Sequence, residues 1–183
     1  MGAKFTHGGD SVITSFDVGN AFEVRLVPLP YEARHLSTVL LPARPEPRQA
    51  ALSPDGHWLA YVDEETGNRE VYIQPFPGPG GHFQVSVNGG TEPVWGRVST
   101  QLFYRRGGTM MAATLAFAPS ETVLRRDSLF VTDSPISVVE AMYDLMPNDR
   151  FVMVRNVSSG APPVVVFGWV DELRERMASA RKK

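Results

Sequence analysis

Apolar residues in this chain fall into short alternating runs separated by turn-forming residues. In WLAYV, Trp58, Ala60 and Val62 alternate with Leu59 and Tyr61, the period-two spacing of a strand with two distinct faces. The run leaves Ser53-Pro54-Asp55-Gly56. There Pro presets φ for its position, Asp accepts local hydrogen bonds and Gly supplies φ > 0, so the tetrapeptide predicts a tight structural turn.

The same pattern recurs. FTHGGDSVIT (5–14) overlays LSPDGHWLAY (52–61) without a gap, and EVRLVPLP (23–30) overlays EVYIQPFP (70–77) at the same 47-residue offset. WGRVSTQLFY (95–104) and LMPNDRFVMV (145–154) carry weaker copies, so the turn positions Thr6, Ser53, Gly96 and Met146 are spaced by 47, 43 and 50 residues. A period in the forties with several short strands and a turn signal in each unit predicts an all-β fold of the β-propeller class. Helical repeats of similar length are excluded by 16 Gly and 15 Pro, which would break them.

The expected architecture is four four-stranded blades at about 1–48, 49–91, 92–136 and 137–170, forming a partial or open propeller. Predicted strands are 49–52, 57–63, 69–75 and 82–88 in the second unit, 93–95, 101–105, 109–116 and 129–132 in the third, and 138–144, 150–155 and 162–169 in the last. Inner strands are expected to contain Leu52, Trp95 and Tyr143. VDELRERMASARKK then predicts a C-terminal helix and basic tail over 171–183. Asp171 and Glu172 stand in its first turn, Arg181, Lys182 and Lys183 at its end, and Trp169, Leu173 and Met177 on one face. An open arc would leave apolar flanks around Val12, Ile13, Val24 and Leu26 and around Val152, Val164 and Val166. Such flanks predict self-association or a missing remainder of the propeller.

Composition narrows the partners. The 183 residues are 43% hydrophobic and 21% charged, with a formal net charge of −2, which gives no electrostatic footprint for nucleic acid. Without cysteine there is neither a disulfide framework nor a thiolate site. No apolar run approaches the roughly 18 residues of a membrane span, and Met1 to Phe16 lacks a charged segment followed by an apolar one. The chain as written is expected in the cytoplasm, or in the periplasm or outside the cell if it belongs to a longer exported or anchored protein.

SPDGHWLAYV, REVYIQPFPGPGGHFQVSVNGGTEPVW, LFYRRGGTMMAATL and VVVFGWVDELRERM, in that order, resemble the C-terminal propeller of bacterial serine/threonine protein kinases and their TolB-like relatives. The resemblance covers roughly residues 5–177. In that family such propellers have six or more blades, so it implies the C-terminal part of a larger propeller. Gly96 to Ser99 and Met146 to Asp149 depart from the Ser-Pro-Asp-Gly wording, which implies looser turns there.

A search for chemistry assigns no catalytic residue, no cofactor-binding residue and no metal ligand. There is no G-x-S-x-G elbow, and no kinase H-R-D or D-F-G. His7, His35, His57 and His82 lack metal-ligand spacing and read as turn or surface residues. Asp63-Glu64-Glu65 reads as a solvated strand end rather than a cation site. Arg105-Arg106-Gly107-Gly108 reads as a basic hairpin turn, with phosphate binding as the lesser alternative. Arg48, Gln49, Glu92 and Glu140 lie just before the inner strands and are expected to ring the axial rim, where loops on a rigid scaffold bind partners. Two functions follow as expectations: a non-catalytic module that binds or senses a protein, peptide or small ligand, or an accessory domain of a kinase or prolyl-peptidase-like hydrolase whose catalytic domain lies elsewhere.

Overall fold

The computed structural model describes residues 3–6, 9–30, 37–44, 48–78, 80–138, 140–146, 150–155 and 164–166, and every regular element among them is a β-strand. A first sheet holds β1 (Ala3–Phe5), β2 (Ser11–Asp17), β3 (Phe22–Pro28) and β4 (Thr38–Arg44). A second holds β5 (Arg48–Leu52), β6 (Trp58–Asp63), β7 (Glu70–Pro75) and β8 (Phe83–Gln84). The third holds β9 (Thr91–Trp95), β10 (Gln101–Arg106), β11 (Thr109–Ala116) and β12 (Thr122–Val131), and the fourth β13 (Tyr143–Leu145), β14 (Phe151–Arg155) and β15 (Val164–Val166). Each sheet is an antiparallel meander in chain order.

Backbone hydrogen bonds bring out the repeat. Ser53 N–H donates to Trp58 O at 2.8 Å and Gly56 N–H to Ser53 O at 2.9 Å; 47 residues earlier, Thr6 N–H donates to Ser11 O at 2.9 Å and Gly9 N–H to Thr6 O at 2.9 Å. Gly96, without the Ser-Pro-Asp-Gly wording, closes the same way on Gln101 O at 2.8 Å. The inner strands β5, β9 and β13 contain Leu52, Trp95 and Tyr143 as expected.

Three apolar clusters stack the sheets in sequence order. Ile13, Val24 and Leu41 pack on Leu59, Tyr61 and Tyr72. Ala60, Val62, Val71 and Ile73, on the opposite face of the second sheet, pack on Trp95, Leu102, Tyr104 and Met111. Val94, Phe103 and Met110 then meet Tyr143, Phe151 and Met153. A strand covered on both faces loses its polar alternation, which is why β6 is buried from Leu59 to Asp63. Each fully buried large apolar side chain contributes about 1.5–3 kcal/mol.

Several expectations are corrected. The strand expected at 129–132 is β12, beginning at Thr122. This outermost strand hydrogen-bonds to β11 while leaving Leu124 and Val131 64% and 73% exposed beside Arg125, Arg126 and Asp127, so burial imposes no apolar pattern on it. The strand expected at 82–88 pairs only over Phe83–Gln84. Beyond it, Val85 and Ser86 N–H groups both turn onto Val71 O. Ile13, Val24 and Leu26 face the second sheet rather than an open flank, and only Val12, opposite Val27, points the other way. β15 pairs with β14, Val164 opposite Arg155 and Val166 opposite Met153, while the side chains expected to form an apolar flank at Val164 and Val166 lie outside the described residues. The helix and tail expected over 171–183 lie outside the described residues, and no helix occurs among those described.

Candidate functional site

The loops that enter β5, β9 and β13 share one face of the stack with the β6–β7 and β10–β11 turns. At this entry face Asn88, in the loop after β8, has left-handed backbone at φ 60°, and so do two residues of the inner strands, Gln49 at φ 55° and Glu92 at φ 57°, a conformation that disfavours side chains with a Cβ. Gln49 and Glu92 both sit where strand register shifts: between Arg48 and Ala51 in β5, and on β9 opposite the shift between Phe103 and Arg105. Such bulges re-aim a side chain, and here they turn both toward the following sheets.

A chain of hydrogen bonds results. Gln49 Oε1 accepts from Glu92 N–H at 2.7 Å and Gln49 Nε2 donates to Ser137 O at 2.7 Å. Glu92 Oε1 accepts from Ser137 N–H at 2.7 Å, and Tyr143 Oη donates to Glu92 O at 2.7 Å. Arg105 completes the group: Nε donates to Gly107 O at 3.3 Å, Nη2 to Ser134 O at 3.1 Å, and Nη1 lies 3.9 Å from Glu92 Oε2. The Arg105 and Glu92 side chains are 1% and 0% exposed. Burial pushes the Glu92 carboxyl above its ordinary range, against the opposing pull of the Ser137 N–H, the Arg105 charge and the Met142 N–H. Burial also raises the Tyr143 hydroxyl well above its usual value, and the Glu92 charge adds to this.

The expected rim residues therefore separate. Gln49 and Glu92 form the network, Arg48 opens β5, and Glu140 stays exposed, its N–H reaching Ser137 Oγ at 3.4 Å. Ser137, Tyr143 and Arg105 are the members that sequence reasoning missed. One signal was available: Glu92 follows Gln49 at the 43-residue offset that relates Gly96 to Ser53. In the Arg105-Arg106-Gly107-Gly108 hairpin, Arg106 is exposed while Arg105 points inward.

Beside the network, between the second and third sheets, lies a cleft of ≈ 570 Å³ whose lining includes Arg69, Gly89, Gly90, Thr91, Arg105 and Gly107. Its wall is the loop after β8, fixed from beneath by Glu70. One Glu70 oxygen takes the Ser86 hydroxyl and the other accepts from Gly89 N–H at 2.8 Å. Gly90 N–H donates to Arg69 O at 2.8 Å, and a Cβ at Gly90 would collide with Ser86.

The opposite face carries the structural turn. Ser53 Oγ donates to Asp55 Oδ1 at 2.6 Å and accepts from Trp58 N–H at 2.9 Å, while His57 N–H donates to Asp55 Oδ1 at 3.1 Å. Slight burial raises the Asp55 carboxyl, but the Ser53, His57 and Ser99 hydrogen bonds outweigh it and hold the group below its ordinary value. His57 is exposed, and His82 lies 2.9 Å from Glu65; His7 and His35 lie outside the described residues. Asp63 is buried rather than solvated, with Oδ1 accepting from Glu64 N–H at 2.7 Å. Among the described residues no group of three His, Cys, Asp or Glu could hold a metal ion.

No family model and no curated protein matches the sequence. Among solved structures, TolB from Acinetobacter baumannii superposes on 91% of this chain with a TM-score of 0.62 at 14% identity. The match takes up 40% of the TolB chain, and at this identity the likeness concerns the fold alone. The chain has an all-β, TolB-like fold.

Proposed function

We propose that this chain is a non-catalytic binding module: four blades of a larger TolB-like propeller that receives a protein, peptide or small ligand on its entry face. The observation that carries this reading is the hydrogen-bonded chain Gln49–Glu92–Ser137, which ties the second sheet, the third sheet and the connection leading into the fourth together beneath the loops. Loops that vary over a fixed base are where propellers and other rigid scaffolds place recognition. The sequence resemblance supports a parent in which such a propeller follows a serine/threonine kinase and senses for it. In that setting the chain is the accessory part of an enzyme whose chemistry lies elsewhere.

The test is to capture a partner with the recombinant chain and map the contact by hydrogen exchange. Protection is expected at Asn68–Arg69, Asn88–Thr91 and Ile136. Protection confined to residues 53–57 and 97–100, or to β12, would overturn the reading.

A further inference from the structure

An unpaired strand edge is a row of backbone donors and acceptors open to another chain, and proteins blunt such edges with short strands, proline or a covering element. The first three sheets have β4, β8 and β12 as their outermost strands. β4 carries Pro42 in its interior, which removes a ladder donor, and β8 extends over two residues only. β12 has neither device. It is the longest strand among the described residues, ten residues without proline or glycine, and all of it except Val123, Asp127 and Phe130 is exposed.

Two bulges shape this edge. The register shifts between Met110 and Met111 and between Thr114 and Leu115, which leaves Leu129 and Leu124 without a partner on β11. Both leucines are turned outward, 41% and 64% exposed. Between them, residues 125 to 128 form a regular segment opposite Thr114 to Met111.

Charge selects the occupant of the edge. Arg125 and Asp127 share one face of the segment, their side chains 2.7 Å apart. Arg126 takes the other face, where its Nε donates to Val85 O of the second sheet at 2.6 Å. An identical antiparallel strand related by a two-fold axis at Arg126 sets Arg125 opposite the partner's Asp127 and Asp127 opposite the partner's Arg125. The same register sets Val123 opposite Leu129. An axis at any other residue of the segment brings no opposite charges together. The two Arg126 side chains at the axis are each drawn aside to a Val85 carbonyl, which limits their repulsion.

We infer that β12 is a dimerisation edge: two copies of this chain join β12 to β12 in antiparallel fashion, and two four-stranded sheets become one of eight strands. Such isologous pairing consumes the edge, so assembly stops at the dimer. The entry face takes no part in it, and the inference stands independently of the proposed function.

The test is sedimentation equilibrium of the full chain from micromolar to millimolar concentration, with amide exchange compared at the two ends of the range. A monomer–dimer equilibrium is expected, with exchange slowed at high concentration in β12 and unchanged in β4 and β8. The Arg125 and Asp127 side chains are 71% and 37% exposed, so substitution there leaves the fold intact. Arg125→Asp and Asp127→Arg should each weaken association about tenfold, and the two together should restore it to within about threefold of the parent. A chain that stays monomeric throughout, assembly beyond the dimer, or slowed exchange on the first or fourth sheet in place of β12 would each overturn the inference. So would single substitutions without effect, or a double substitution no better than the singles.

Discussion

The two faces of the sheet stack are built from different kinds of contact. On the turn face, Ser53, Asp55 and Gly56 satisfy one another and their neighbours through hydrogen bonds that span five residues or fewer, and only the Asp55–Ser99 bond reaches another sheet. At the entry face the bonds from Gln49, Glu92 and Tyr143 span 43, 45, 51 and 88 residues, and the backbone is left-handed at two of those side chains. The turn face can close with its own strand pair, whereas the entry face forms only once three sheets are docked. Strain and buried charge gather where the contacts are long-range, because there the surrounding sheets over-determine the conformation of each residue.

The sharpest way to break this contrast is at Arg105. Arg105→Met leaves the Glu92 carboxylate buried without its counter-charge and should lower the unfolding free energy by about 3–5 kcal/mol, read from urea denaturation. Adding Glu92→Met should restore most of the loss, and a single variant as stable as the parent would show that the pair is not buried as described. Next in size are two glycines. Gly90→Ala drives a Cβ into Ser86 beneath the cleft, and Gly56→Val puts a β-branched residue at φ 75° on the turn face; each should lose about 1–3 kcal/mol. Only Gly90→Ala should also perturb amide resonances across the second and third sheets. Ser53→Ala should lose about 0.5–1.5 kcal/mol in the same denaturation, because Trp58 N–H loses its acceptor.

The smallest effects are the pH slopes, which have opposite signs on the two faces. Glu92 holds its proton more tightly folded than unfolded, so stability falls as pH rises from the ordinary value of 4.5 to the raised folded value, and is level above it. Asp55 holds its proton less tightly when folded. Its contribution is present above the ordinary value of 3.8 and is lost as pH falls through the lowered folded value. In denaturation series across pH, E92Q should lack the first slope and D55N the second.

What could be read from the sequence follows the same division. The repeat was legible because each turn is closed by residues a few positions apart, so Ser-Pro-Asp-Gly and its copies carry their own geometry. The inner strands were legible because Leu52, Trp95 and Tyr143 follow from that register. Arg105 was misread as a turn cation because its burial depends on Glu92 and Ser134, 13 and 29 residues away, with nothing local to mark it. Glu140 was placed on the rim by spacing alone, but the longer connection after β12 hands that position to Ser137. β12 escaped because its hydrogen bonds impose no hydrophobic period.

Each apolar cluster joins one sheet to the next in sequence. Energetically the stack is therefore a one-dimensional lattice, with a term for each sheet and a term for each neighbouring pair. Among the described residues, opening the first or last sheet breaks one of these clusters, and opening the second or third breaks two. Amide exchange should accordingly be slowest in β6, β7, β10 and β11 and accelerate outward. In such a lattice the number of units is a free parameter: a duplicated segment with matching faces can be inserted between two sheets without redesigning either, and the stack becomes longer by one period while its local rules stay the same.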